Sequence, residues 1–432
     1  MARPQITTKK YASSAIDKVD NKLHDHGSGD SRNSHEKSWQ LAMRVMTKRI
    51  EKIDVDTCEW EEVLPFMVGD VGEIYRQRQR WKMMLPRVEA HYAVKCNPEP
   101  TVIRLLARMN SSFDCASIPE VEAVLEHGVD PSKIILAHPR ASVRQKVAAI
   151  NHGVRQMTVD TKQQLHDAKK YFPTAKLLIR LAPDDSKSKC RLSAKFGCSF
   201  DKAKELLHVA KHEGLDVVGI AFHIGSDASD TQAPFNATML ARDLINYAED
   251  SGLYSFSVLD VGGGFTDHLF EPMAASLKAA LEFIPQSIRV IAEPGRFMVS
   301  SAFRLACQVN DIDYEGNNEG NIPIHINAGV YSDLANVISD HQVRIPKLLC
   351  KQDPSSESFR YRVWGPTCDN FDEVVKSCSL PKVSQHDWLY FEEMGAYTIP
   401  CATEFNGIRR ADIMWVSSER GASSLLGWDA DI

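Results

Sequence analysis

HYAVK (91–95), SFDCAS (112–117), IILAHP (134–139), MTVD (157–160), LLIRLA (177–182), VVGIAFHIGS (217–226), VLDVGGGF (258–265) and VIAEPGR (290–296) are eight short apolar or β-branched runs spread over roughly 200 residues. Most are separated by segments with helical periodicity, such as PEVEAVLEHG (119–128), SVRQKVAAINHG (142–153), TKQQLHDAKKYF (161–172) and DKAKELLHVAKHEG (201–214). Eight strands alternating with helices outline a parallel (β/α)8 barrel. An open doubly wound sheet alternates in the same way, and periodicity leaves the two open.

Upstream of this rhythm, VGEIYRQRQRWKMML (71–85) reads as an amphipathic helix with its charges on one side. The first 38 residues are polar, end in a Gly/Ser/Asp/Asn cluster and are expected to form a disordered tail, because they bury too little surface to offset the entropy of ordering. Downstream of residue 300 the pattern changes to short runs broken by Gly, Pro, Asn and Asp every 8 to 12 residues, the spacing of an antiparallel sheet. The expected organisation is therefore a tail (1–38), a segment packing on the second domain (39–65), a barrel (66–299) and a C-terminal antiparallel β domain (300–432).

Composition narrows the function classes. The 432 residues carry 51 Lys and Arg against 57 Asp and Glu, a net charge of −6, and 43% are apolar. Such a balance creates no field for nucleic acid, and no run reaches the ~20 apolar residues that span a bilayer. The polar N-terminus lacks the pattern of a secretory or transit peptide, which makes the cytoplasm the expected compartment. Ten cysteines without zinc spacing point to reduced thiols and no metal site.

In a barrel the reactive groups project from the C-terminal ends of the strands. The last polar residues of the runs are Lys95, Asp114, His138, Asp160, Arg180, His223 with Ser226, Gly262 to Gly264, and Glu293 with Arg296. Lys95 follows Tyr92-Ala93-Val94, so apolar walls are expected to disfavour its ammonium form and leave a nucleophilic amine; a strand-end lysine can equally snorkel to solvent. Gly262, Gly263 and Gly264 offer bare backbone N–H groups for a phosphate, although any tight loop can need glycines. Arg296 adds a guanidinium fork to the same phosphate, and Glu293 can pair with a protonated heterocyclic nitrogen. An aldehyde that carries a phosphate and a pyridine is pyridoxal 5′-phosphate.

The stretches HYAVKCN (91–97), FDCAS (113–117), DDSKSKCRLSAKFG (184–197), AFHIGS (221–226), DVGGGF (260–265), AEPGRF (292–297), VWGPTCDNFD (363–372) and FEEMGAYT (391–398) resemble, in matching order from about Val63 to Val416, the eukaryotic ornithine decarboxylase family. Those are fold-type III, alanine-racemase-like pyridoxal-phosphate decarboxylases with a (β/α)8 barrel and a C-terminal β domain. The resemblance implies that Lys95 holds the cofactor covalently, that His223 stacks on its ring and that Glu293 keeps the pyridine nitrogen protonated. It further implies a phosphate site of Ser226, Gly262 to Gly264, Gly295, Arg296 and Tyr397, with Asp114 and Arg180 supporting the ring. Cys368 matches the thiol that reprotonates the α-carbon, and Asp369 and Asp340 match carboxylates for a distal amine. In that family the Cys-Asp pair enters the partner's site, which implies a homodimer with shared sites and a Lys195 to Asp372 salt bridge across its contact.

The departures cluster in INAGVYSDLANVISDHQ (326–342). Ser339 stands where the family usually has tyrosine and Ala328 where it has aspartate, while EFNGI (404–408) keeps Phe405 but ends in Ile408 in place of a common aromatic. Replacing a tyrosine by serine removes a ring and leaves space that a short diamino acid does not fill. Three functions follow: decarboxylation of an L-amino acid with a distal amine bulkier than ornithine, as in enzymes of fungal loline-type alkaloid pathways; ornithine decarboxylation in polyamine synthesis; or a non-catalytic protein of the antizyme-inhibitor type, against which Lys95, Cys368 and Glu293 argue. His91 occupies a position that is often aromatic and is expected to face the helix layer.

Overall fold

The computed structural model describes residues 31–315, 320–349 and 357–428, so most of the expected tail (1–38) lies outside the described residues. Eight parallel strands close into a barrel: Val88–Ala93, Ser112–Cys115, Ile134–Leu136, Gln156–Val159, Lys176–Arg180, Asp216–Ala221, Val258–Asp260 and Arg289–Ala292. They are the eight runs read from the sequence, and the last pairs with the first through Val290 and Val88. That pairing removes both sheet edges and decides the barrel over the open sheet.

The crossover helices begin where a small hydroxyl side chain can satisfy the first free N–H groups. The hydroxyl of Ser142 accepts from the backbone N–H of Gln145, whose own side chain accepts in return from the Ser142 N–H. Thr161 caps Lys162–Tyr171 and Ser199 caps Phe200–His212 by the same bond to the third helical residue. Gly153 and Gly214, at positive φ, turn the chain back toward the next strand.

Strand alternation sorts the barrel residues into two layers. Val88, Ala90 and Tyr92 join the core under the helices. Ile135, Leu178, Ala221, Val258 and Ile291 form a separate cluster inside the barrel. Glu89 and His91 share the inward parity, so His91 faces the barrel interior and not the helix layer as expected. It is 1% exposed, and neither ring nitrogen has a hydrogen-bond partner.

The second sheet has eight strands: Phe66–Asp70, Phe303–Ile312, Ile322–Ile326, Lys347–Leu348, Ser358–Trp364, Glu373–Pro381, Trp388–Phe391 and Asp412–Val416. Most pairs are antiparallel, but Phe66–Asp70 runs parallel to Asp412–Val416, and Ile322–Ile326 parallel to Ser358–Trp364. Phe66–Asp70, counted with the barrel in the sequence reading, is therefore a strand of this sheet. A five-residue run buried throughout carries no local mark of the sheet it joins. Residues 31–38 belong to the helix Ser31–Ile50, whose Leu41, Ala42, Val45 and Met46 pack on Phe66, Val68, Trp388 and Val416 of the sheet. Burying each of the larger side chains contributes about 1.5–3 kcal/mol, which is enough to order a polar helix along one face.

The helix Val71–Met84 connects the two units. Asp70 accepts from the N–H of Gly72 at its start and from the N–H of Ser418 beyond the last strand. Trp81 packs on Phe265, Phe270 and Phe297 at the barrel. Among the described residues no helix is long and apolar enough to cross a membrane, and no group of three or more His, Cys, Asp and Glu could hold a metal ion.

Candidate active site

The carboxyl ends of the barrel strands surround a cleft lined by Lys95, His223, Ser226, Gly264, Glu293, Gly295, Arg296 and Tyr397, together with Ala93 and Phe265. Most of the predicted cofactor residues thus line one cleft. Strand Val88–Ala93 ends two residues before Lys95, which sits in a 3-10 turn, Val94–Cys96, and reaches the cleft with 36% of its side chain exposed. Its Nζ donates to Oδ2 of the fully buried Asp114, while Oδ1 of Asp114 has no partner. Burial disfavours the charged lysine, but the carboxylates of Asp114 and Glu293 outweigh it and raise its pKa above the ordinary lysine value. The expectation of a neutral amine between apolar walls is thereby corrected: the Asp114 carboxylate on the next strand holds the proton on Nζ.

Glu293 shows the opposite balance. Burial, followed by the nearby carboxylates of Asp114 and Asp260, raises its pKa well above the usual carboxylate range. Asp260, pushed up to about 6 mainly by burial, is hydrogen-bonded to Glu293 and also accepts from the N–H of Gly262. The sequence reading did not select Asp260, although it is the strand-end carboxylate immediately ahead of the glycine run. Burial, then the positive Arg180 and Lys95, lower the His223 pKa well below 6.5. Its Nδ1 accepts from the N–H of Gly225 at 3.0 Å, which fixes the ring as a neutral imidazole protonated on Nε2.

The phosphate-sized end of the cleft is built from backbone and one arginine. A Cβ on Gly263 would fall 2.6 Å from the Glu293 carbonyl oxygen and 2.9 Å from His223 Nε2, so only glycine lets the chain pass there. Arg296 Nη2 donates to Ser226 Oγ at 3.0 Å and to Asp340 Oδ1 at 2.7 Å. Arg296 Nε and Nη1 are buried without partners. Buried guanidinium N–H groups without a partner call for an anionic acceptor. Tyr397 comes from the second sheet's side of the cleft, is held at positive φ by donating its N–H to the Cys96 carbonyl, and lies 5.2 Å from the Arg296 guanidinium.

The other predicted residues divide. Arg180 is buried inside the barrel with its guanidinium 5.2 Å from the Phe196 ring. Asp160 is committed to the Gly197 N–H, Gln164 and Arg140, and the ring of His138 packs edge-on to Phe196, so neither lines the cleft. Asp340 is 4% exposed, with both carboxylate oxygens 2.7 Å from Arg296 Nη2. Ser339 is exposed and turns its hydroxyl back to the Ala335 carbonyl at 2.8 Å.

Cys368 and Asp369 lie between the strands Ser358–Trp364 and Glu373–Pro381 and do not line this cleft. Cys368 is exposed, and Asp369 Oδ2 accepts from the Tyr331 hydroxyl at 2.5 Å. Tyr331 in turn packs on the 42% exposed Phe405, their ring centroids 4.6 Å apart. Asp372, matched to a salt bridge with Lys195, is 1% exposed and accepts from the N–H groups of Val330 and Thr367. Within its own chain it braces the loop that carries Cys368 and Asp369.

The comparisons agree with this geometry. Residues 71–300 match the family described as pyridoxal-dependent decarboxylase, pyridoxal binding domain. Ornithine decarboxylase of Neurospora crassa is 40% identical over 426 residues, covering 90% of this chain and 88% of that protein. Antizyme inhibitor 2 of Xenopus laevis is 37% identical over 381 residues, covering 84% of this chain and 83% of that protein. Among solved structures, the arginine decarboxylase of Paramecium bursaria Chlorella virus superposes with a TM-score of 0.80 at 30% identity, covering 87% of this chain and 100% of that one.

Proposed function

The chain belongs to the pyridoxal-dependent decarboxylases of the ornithine decarboxylase type, and on that premise we propose that it decarboxylates an L-amino acid whose distal amine sits on a chain bulkier than that of ornithine. Pyridoxal phosphate, when bound, supplies an aldehyde for covalent capture and a protonated ring that takes up the electron pair left by departing CO2.

Lys95 is the residue that would hold the cofactor's aldehyde carbon, and its Nζ contact with Asp114 Oδ2 orients the amine and keeps a proton on it in the bare cleft. Glu293, whose pKa burial raises and which is hydrogen-bonded to Asp260, is the carboxyl group that would share a proton with the ring nitrogen of the cofactor. His223, its tautomer fixed by the Gly225 N–H, offers an uncharged ring that covers the other ring and excludes water. Arg296, with Ser226 and the N–H groups of Gly263 and Gly264, would bind the phosphate, while the Gly262 N–H is held by Asp260 and Gly295 and Tyr397 close that end. Arg180 and Asp114 supply the charges beside the ring.

Asp340, buried and paired with Arg296, is the carboxylate that would accept from the distal amine of the substrate. Cys368 returns a proton to the α-carbon and Asp369 meets the distal amine, both from a second copy of the chain. Supporting that homodimer, Cys368 is exposed and Asp369 half-buried, neither lines its own cleft, and the exposed Phe371 and Phe405 stand beside them. Because Cys368 has to remain a thiol, a reducing cytoplasm is the compartment this reading requires.

The observation that carries the larger substrate is Ser339. Its short side chain folds back on the Ala335 carbonyl, so no ring fills the volume that the family's tyrosine takes. Phe405, on the Tyr331 ring, is the apolar surface left for a substituted chain. An alkaloid or polyamine-derived substrate with a substituted second amine has that shape. The 40% identical Neurospora relative favours ornithine itself as the second reading. Release of CO2 from ornithine, lysine and N-substituted diamino acids separates the two. Turnover of a larger analogue above ornithine is the expected result, and robust ornithine turnover with none on larger analogues overturns the proposal.

A further inference from the structure

A second cavity, of about 370 Å3, opens at the other end of the barrel. It is lined by Val88 and Glu89 at the start of one strand and by Arg289 and Val290 at the start of another, whereas Lys95 and Glu293 follow the ends of those same strands. These two strands are the first and last of the barrel, so the cavity lies across the seam where the sheet closes.

Its wall carries four cations, Arg78, Lys82, Arg87 and Arg289, against the single carboxylate of Glu89. Two of the four are already engaged. Arg87 donates to the carbonyls of Leu281, Ile284 and Pro285, and Arg289 donates to Glu89 and Gln156. Glu89 also accepts from Ser112. Arg78 uses only its Nε, on Ser111 Oγ at 2.9 Å. Its two terminal nitrogens and Lys82 Nζ have no hydrogen bond or ion pair among the described residues.

Arg78 and Lys82 lie four residues apart on one face of the helix Val71–Met84, where like charges repel. The last-turn position of Lys82 is favoured by the helix dipole, but Arg78 lies more than a turn from the end and gains little from it. The flanking Arg76 and Arg80, by contrast, are each paired with carboxylates, Glu73 and Glu419 for one and Asp267 and Glu271 for the other. The helix thus satisfies its cations on one side and leaves two unsatisfied over a hollow.

We propose that this cavity binds a small multivalent phosphate, held between the Arg78 fork and Lys82 across the seam of the barrel. A guanidinium with two free terminal nitrogens matches phosphate oxygens in a bidentate pair, and Lys82 adds a point charge. The hollow has the volume of about twelve water molecules, so an oligophosphate fits it better than a single phosphate ion. By binding the native barrel and not the open chain, the ligand stabilises closure.

Calorimetric titration of the cofactor-loaded protein with inorganic pyrophosphate at fixed ionic strength tests this. The cofactor keeps the Arg296 cleft filled, and constant salt removes general screening. One saturable site per chain is expected, with affinity about tenfold weaker in Lys82→Ala and again about tenfold weaker in Arg78→Ala, each losing a charge-assisted contact. Both variants should keep the visible absorbance of the bound cofactor, which shows that the barrel is intact. The proposal is overturned by the absence of a saturable site, by unchanged affinity in both variants, or by displacement of the cofactor. Citrate binding at the same site with equal affinity overturns the assignment to phosphate.

Discussion

Replacing Arg296 by alanine should have two separable effects. The guanidinium gives Nη2 to Ser226 and Asp340 and keeps Nε and Nη1 buried and unpaired toward the cleft. Two charge-assisted hydrogen bonds to a phosphate are worth roughly 1.5–3 kcal/mol each. Their loss should weaken cofactor binding by about a hundredfold to ten-thousandfold. Covalent capture by Lys95 is common to both proteins and cancels in the comparison.

The second effect falls on Asp340, which is 4% exposed and would lose its guanidinium partner. Leaving such a charge buried and alone costs about 3–5 kcal/mol. The double variant Arg296→Ala/Asp340→Asn should therefore recover most of the lost stability while binding the cofactor no better than Arg296→Ala. Titration of the apoproteins with pyridoxal phosphate, followed by visible absorbance, reads the first effect, and denaturant midpoints read the second. Cofactor affinity within about threefold of wild type in Arg296→Ala would refute the phosphate site, since two charged contacts cannot be lost so cheaply. Failure of Asp340→Asn to restore stability would refute the buried pair.

Burial, eased by Glu89, holds the His91 pKa at about 4, whereas in the unfolded chain it returns to about 6.5. Between those values the unfolded chain binds a proton that the folded chain refuses. His91 therefore costs the fold about 3 kcal/mol as pH falls from about 6.5 to 4, and nothing above that window. His91→Phe should flatten the acid side of a stability-against-pH curve whatever it does at neutral pH, and an unchanged slope refutes the account. Gly264 has φ +109°, and a Cβ there would lie 2.4 Å from the Gly225 carbonyl oxygen, so Gly264→Ala should lower both stability and cofactor retention by visible absorbance; a variant as yellow and stable as wild type contradicts it. Ser339→Tyr should shift kcat/KM toward ornithine and away from larger substrates by about tenfold or more, read in competition assays. Mixing Lys95→Ala with Cys368→Ala subunits should restore activity to heterodimers, and mixtures as inactive as either parent exclude the shared site.

Much of the site was legible because chemistry in this fold follows strand ends. A strand announces itself through a few consecutive apolar residues, and the next polar residue is the one that faces the ligand end. Lys95, His223, Ser226, Glu293 and Arg296 were found in that way and line one cleft. Asp260 was passed over because the glycines after it carried the stronger local signal. His138 and Asp160 have the right position, but their partners on neighbouring loops turn them to structural use.

Local pattern also fixed the alternation of eight strands and their helices, because the periods of 2 and 3.6 and the Ser/Thr caps act within a few residues. What the fold alone decided are relations between residues far apart in the chain. The strand Phe66–Asp70 joins a sheet whose other members begin beyond residue 300, since a short buried run pairs wherever an edge is open. The proton on Lys95 is set by Asp114 on the neighbouring strand, and Asp340 is drawn onto Arg296 from the far side of the cleft. Composition names the charges, but distance and burial set their energies, and both exist only once the chain has closed on itself.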